Sequence, residues 1–122
     1  MVWEEKTIRE QTLFTGRIIQ LKKVEVQLPN GERGEREVVL HPGAVAVLPV
    51  LPGDRFLLVK QYRKAVEKTL WEIPAGKLER GEEPLQAALR ELREETGYEA
   101  GKMRFVSSFF TSPGFADEEI HL

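Results

Sequence analysis

The first forty residues carry an extended pattern. Ile8, Ile18 and Leu21 lead into Val24, Val26 and Leu28 at period two, and Val38 and Leu40 follow Asn30-Gly31, a pair suited to a hairpin turn. This predicts an antiparallel β-hairpin region from Trp3 to about Leu40. Ala44 to Val50 is an apolar run of strand length, closed by the turn signal Pro52-Gly53-Asp54, and Phe56 to Tyr62 reads as the next strand. Both are expected to be central strands. A shorter extended piece, Leu70 to Ile73, runs into Pro74-Ala75-Gly76. One segment, Pro84 to about Thr96, has a clear helical pattern. At about 100° per residue, Leu85, Ala88, Leu89 and Leu92 share a stripe that should pack on a sheet. Pro84 suits a first helical turn, Glu82 and Glu83 favour the positive end of the dipole, and Gly97 is a natural stop. Strand is expected again from Met103 to Phe110, then a loop with Ser112-Pro113-Gly114 and a last extended piece to Leu122. This order favours an α+β or mixed-sheet α/β fold, with one helix laid on a mixed sheet.

Composition narrows the function classes. A chain of 122 residues supports one modest core. Lys and Arg total 18 against 20 Asp and Glu, interspersed, so the formal charge of −2 offers no basic field and nucleic acid is not an expected partner. With no cysteine there is no disulfide framework, thiolate metal site or cysteine nucleophile. The N-terminus lacks the charge and apolar pattern of a signal peptide, and the longest apolar run, Ala44 to Leu51, is under half the roughly 20 residues of a membrane span. A cytoplasmic protein without a membrane segment is expected.

The chemistry points to the helix. Glu91 and Glu95 lie one turn apart along one border of the apolar stripe, with Glu94 further towards solvent. Like charges at that spacing repel, and partial burial worsens the repulsion, so a bound cation would account for them. Carboxylate oxygens and water suit Mg²⁺ or Mn²⁺. The plainer alternative is a solvated face on which Arg90 pairs with Glu94. The longer spacing decides. Gly76, five residues, Glu82, seven residues, then Arg90-Glu91-Leu92-Arg93-Glu94-Glu95-Thr96-Gly97-Tyr98 resembles the Nudix hydrolase signature at every position. Such a match should arise by chance on the order of once in 10⁸ starting points.

The resemblance implies a loop and helix that grip divalent metal and cleave a nucleoside diphosphate joined to another group. By that resemblance the metal ligands fall on Glu91 and Glu95, with Glu94 assisting and the carbonyl of Ala75 as a backbone ligand. Glu82 would reach a metal or steady the loop, and Arg90 would orient the glutamates by charge-assisted hydrogen bonds. Glu91, Glu94, Glu95 and Arg90 are thus the catalytic candidates, and Ala75, Glu82, Glu91, Glu94 and Glu95 the metal candidates.

The segments Pro42 to Val47, Gln61-Tyr62-Arg63 and Glu72 to Gly76, with Ser112-Pro113-Gly114-Phe115 fifteen residues beyond Tyr98, resemble the ADP-ribose pyrophosphatase group. That likeness implies hydrolysis of ADP-ribose to AMP and ribose 5-phosphate by metal-activated water. The same chemistry on a nucleotide sugar or NADH is the alternative, and a non-catalytic nucleotide-binding module is a third reading. Arg63 is the candidate for a substrate phosphate, because its guanidinium fork matches phosphate oxygens. Glu72 is a candidate acceptor for the adenine amino group or a ribose hydroxyl. Pro113, Gly114, Phe115 and Glu118 complete the expected substrate-binding set, and Pro113-Gly114 is also an ordinary turn. Trp3, Ile8, Phe14 and Ile19 read either as core or as lining for a partner subunit's pocket in a homodimer. His41 and His121 read as structural. Two regions are expected: residues 1–41, a β region for dimerisation and the substrate pocket, and 42–122, a catalytic domain. Relatives of this kind continue further, with a loop carrying a catalytic glutamate. The chain is therefore expected to be a fragment whose general base lies beyond Leu122, unless Glu118 or Glu119 serves.

Overall fold

The computed structural model describes residues 3–122, which divide into two compact units. Residues 3–42 and 110–118 belong to the first and residues 43–109 and 119–122 to the second.

The first unit is built on three antiparallel strands, β1 (Lys6–Thr15), β2 (Gln20–Gln27) and β3 (Arg33–Leu40), in that order. The expected hairpin region is thus two successive hairpins. Asn30 and Gly31 form the second turn: Gly31 adopts φ 89°, a left-handed conformation open to glycine, and the Asn30 side chain accepts the Glu32 N–H. The β1–β2 register slips between Thr7 and Arg9 and again between Thr12 and Phe14. Val26 is the one hydrophobic residue of the three strands that is buried. Trp3 is 78% exposed, and Ile8, Phe14 and Ile19 are also exposed, so the core reading of these four does not hold within this chain. Residues 112–117 return to β3, where Val39 donates to the Phe115 carbonyl and accepts from the Asp117 N–H.

The second unit holds the helix. Its main sheet has the order β10 (Ser108–Phe110), β11 (Glu119–His121), β4 (Ala44–Ala46), β9 (Ala75–Lys77); β11 runs parallel to β4 and β9 antiparallel to it, so the sheet is mixed. Two antiparallel pairs stand apart from it: β5 (Val50–Leu51) with β6 (Arg55–Phe56), and β7 (Val59–Arg63) with β8 (Lys68–Glu72). The two long central strands read from sequence are therefore each broken. The first is cut into β4 and β5 near Pro49, which cannot donate to a ladder, and the second into β6 and β7. The strand expected from Met103 reduces to Ser108–Phe110.

Helix α1 spans Pro84–Thr96 and ends at Gly97, which takes φ 76° and donates to the Arg93 carbonyl. It starts as expected, with Pro84 in its first turn after Glu83, whose side chain makes no capping bond. The packed face differs from expectation. Ala87 is fully buried, Ala88 and Leu92 are buried, and Leu85 is 54% exposed. At 3.6 residues per turn, the buried face is rotated by roughly 60° from the leucine stripe. The small residues let the helix approach β4 and β9, where Val45 is buried beside Ala87 and Ala88, with Val47, Leu78 and Met103 around them. Glu91 and Glu95 consequently do not border the packed face; they lie within it, between Ala87 on one side and Ala88 and Leu92 on the other.

Candidate active site

The rotated helix sets two half-buried carboxylates against the loop that leads into it. Pro74 is fully buried and its carbonyl accepts from the Val47 N–H, which fixes the chain entering β9. The next residue, Ala75, donates its N–H to Glu95 Oε2 at 3.3 Å. Gly76 follows, and a Cβ built there would collide with the Glu91 carboxylate. The first glycine of the signature is therefore a cradle: it lets a helix carboxylate lie against strand backbone. Burial raises the pKa of Glu95, the Ala75 N–H opposes that shift, and the Glu91 charge reinforces it.

Arg90 organises the remaining acids. Its Nε donates to Glu82 Oε2 and its Nη2 to Glu82 Oε1, both at 2.8 Å, a bidentate fork. Its Nη1 donates to Glu91 Oε1 at 2.8 Å and to Glu94 Oε2 at 3.2 Å. Nη2 also meets the Lys77 carbonyl at 3.5 Å, and the Glu79 N–H donates to Glu82 Oε1 at 3.1 Å. Hydrogen bonds from Arg90 and then from the Glu79 N–H hold the Glu82 carboxyl down at about 2, and Glu82 in turn raises the pKa of Arg90. Both Glu82 oxygens are thus engaged in steadying the loop. The roles of the Lys77 carbonyl and the Glu79 N–H were not readable in sequence, because backbone groups leave no residue-type signal.

Arg63 and Glu72 meet on the β7–β8 ribbon. Arg63 Nε donates to Glu72 Oε2 at 2.8 Å and Nη2 to Oε1 at 2.5 Å. The pair lowers the pKa of Glu72 and raises that of Arg63, and both charges act on Glu95. Glu72, expected as an acceptor for the nucleoside, is here occupied by arginine.

Pro113, Gly114, Phe115 and Glu118 belong to the first unit. Pro113, Gly114 and Phe115 are exposed on the turn docked to β3. Glu118 accepts from the Thr111 hydroxyl at 2.7 Å and lies 3.3 Å from His41 Nε2, while the His41 N–H donates to Asp117 at 2.7 Å. His121 contacts the Ser108 hydroxyl at 2.6 Å and Glu119 at 3.5 Å.

Among the described residues, no three Asp, Glu or His side chains converge as a ready metal cage. The donor set still fits a magnesium site, because Mg²⁺ keeps several waters and takes only one or two carboxylates with substrate phosphates. Glu91 and Glu95, half-buried beside the Ala75–Gly76 backbone, provide that number. Among the described residues, no helix is long and apolar enough to cross a membrane.

Residues 40–122 match the NUDIX domain, and residues 5–39 match the nucleoside diphosphate sugar hydrolase N-terminal domain. An ADP-ribose pyrophosphatase of Bacillus subtilis is 56% identical, the alignment covering 98% of this chain and 64% of that protein. A methanol dehydrogenase activator of Bacillus methanolicus is 55% identical over 99% of this chain and 65% of its own length. The chain thus spans slightly under two thirds of these relatives. A crystal structure described as an ADP compounds hydrolase superposes with a TM-score of 0.88 at 23% identity, covering 99% of this chain and 66% of the other, which establishes the same fold. With the signature from Gly76 to Tyr98 folded as a cradle and helix inside the matched region, the chain belongs to the Nudix family.

Proposed function

We propose that this protein hydrolyses ADP-ribose to AMP and ribose 5-phosphate, with Mg²⁺ or Mn²⁺ as cofactor. The observation that carries the reading is the placement of Glu91 and Glu95 within the packed face of α1, where Gly76 alone leaves room for the Glu91 carboxylate. Two acids half-buried at i, i+4 repel unless a cation compensates them. Glu91, Glu95 and the Ala75 carbonyl would hold the metal, with Glu94 assisting at the exposed edge. When bound, such an ion neutralises diphosphate charge and lowers the pKa of an attacking water. Arg90 holds the glutamates in place, Glu82 holds Arg90, and Arg63 would bind a substrate phosphate.

The ADP-ribose assignment is supported by the relatives named for that activity in Bacillus subtilis and in Mycobacterium tuberculosis, the latter at 42% identity. The turn at Pro113-Gly114-Phe115, with Glu118, would contribute to substrate selection. The exposed Trp3, Ile8, Phe14 and Ile19 suit a face buried against a second copy, as a homodimer requires. The cytoplasm is the compartment consistent with a cysteine-free chain. A nucleotide sugar is the favoured alternative substrate, on the description of the matched N-terminal domain.

The test is product analysis with Mg²⁺ across ADP-ribose, an ADP-hexose and NADH. AMP and ribose 5-phosphate, formed fastest from ADP-ribose, are expected. Faster turnover of another substrate would replace the assignment, and metal-dependent binding without products would identify a binding module.

A further inference from the structure

We infer that Glu72 is a positioning residue that delivers the guanidinium of Arg63 to the carboxylate pocket of α1. The inference rests on the proposed role of Arg63 at a substrate phosphate and adds what places Arg63 there.

The register of β7 and β8 carries it. Val59 stands opposite Glu72, Gln61 opposite Leu70, and Arg63 opposite Lys68. Arg63 and Glu72 therefore share one face of the ribbon but begin at opposite ends of it. Four residues at roughly 3.3 Å separate their backbone positions by about 13 Å along the strands. The two side chains nonetheless meet in a bidentate pair, at 2.8 and 2.5 Å. Arg63 accordingly folds back along its own strand towards the Gln61–Leu70 pair, where Glu72 reaches it from the other end, instead of leaving the strand end for solvent. A long, half-exposed arginine loses much rotamer freedom in such a pose, and the Glu72 carboxylate is the partner that holds it.

The Glu72 end of the ribbon is the one that leads to α1. From Glu72 the chain runs through Ile73 and Pro74 to Ala75, whose N–H binds Glu95. The Arg63 and Glu72 charges both act on Glu95, in opposite directions, which places the pair within electrostatic reach of α1. Glu72 uses Nε and Nη2 of the guanidinium, and the edge formed by the two terminal nitrogens is the one a phosphate oxygen would take. Without Glu72, the same side chain is free to extend from Arg63 towards the far end of the ribbon.

The experiment compares Glu72→Gln, Glu72→Asp, Arg63→Ala and the Glu72→Gln/Arg63→Ala double variant in the full-length protein. One readout is kcat/KM with ADP-ribose and Mg²⁺. The other is the Arg63 Nε–H signal by ¹⁵N–¹H NMR, which a role limited to fold stability would not move. Glu72→Gln is expected to lower kcat/KM about 100-fold, the scale of a misplaced binding group. Arg63→Ala should lose a similar factor, and the double variant no more than the worse single one. Slow exchange of the Arg63 Nε–H is expected in the wild type and should be lost in Glu72→Gln, and Glu72→Asp, too short to reach, should not restore it. An unchanged Arg63 signal, an unchanged kcat/KM, or losses that multiply in the double variant would each overturn the inference. If the wild type does not cleave ADP-ribose, the substrate assignment fails; the kinetic comparison then runs on whichever panel substrate is cleaved, and the NMR result decides the role of Glu72.

Discussion

Both units are laced with carboxylates facing basic side chains, yet the pairs mean different things in each. On the three-stranded sheet, Lys23 meets Glu35, Lys22 meets Glu10, and Arg33 and Arg9 share Glu25, with side chains that are mostly well exposed. Long side chains in water gain little from such contacts after entropy and screening. In the second unit, Arg90, Glu82 and Glu91 are only 19%, 14% and 13% exposed, and one guanidinium serves several acids. There the ion pairs set geometry: they turn Glu91 towards the Gly76 backbone and fasten the loop to the helix. The number of ion pairs says little about importance; what their removal would leave unpaired says much more.

Breaking the helix site should have the largest effects. Glu95→Gln removes a charge proposed to hold the metal while keeping the shape, and a loss in kcat on the order of 10³-fold is expected with ADP-ribose and Mg²⁺. Arg90→Lys keeps the charge but loses the fork to Glu82, so divalent-ion affinity, measured by Mn²⁺ titration, should fall about 10- to 100-fold. A smaller effect is expected from pH. The Glu82 carboxyl is held at about 2, below its ordinary value of 4.5, so its pairing stabilises the fold fully above that ordinary value and is lost as pH falls towards 2. The wild type should therefore lose more thermal stability than Glu82→Gln between pH 4.5 and 2, as followed by circular dichroism. At the other extreme, Lys23→Ala on the exposed sheet should change unfolding free energy by under about 1 kcal/mol, measured by urea denaturation. A large effect of Lys23→Ala beside a small one of Arg90→Lys would reverse the comparison.

The helix and its signature spacing were legible because they are local. Pro84, Gly97 and the signature spacing fall within about twenty residues, and both helix ends match expectation. The face on which the helix packs was not legible. Leucines outrank alanines in any hydrophobic pattern, but Ala87 and Ala88 allow the close approach to β4 and β9, and that choice depends on a sheet formed by distant residues. For the same reason Ala44 to Val50 reads as one strand although β4 pairs with β9 and β11 whereas β5 pairs with β6. Arg63 and Glu72 were each recognisable as site candidates, but their mutual bond follows from the β7–β8 register, which the spacing alone does not reveal.

Gly76 carries the central claim, that a side-chain-free position lets α1 lay a carboxylate against the loop for a divalent ion. The direct measurement is Mn²⁺ binding by Gly76→Ala and wild type, with both confirmed folded by circular dichroism. The added methyl group should displace Glu91 and weaken Mn²⁺ binding by at least about 10-fold, as for other changes that disturb metal ligands. A folded Gly76→Ala protein that binds Mn²⁺ as tightly as wild type would contradict it.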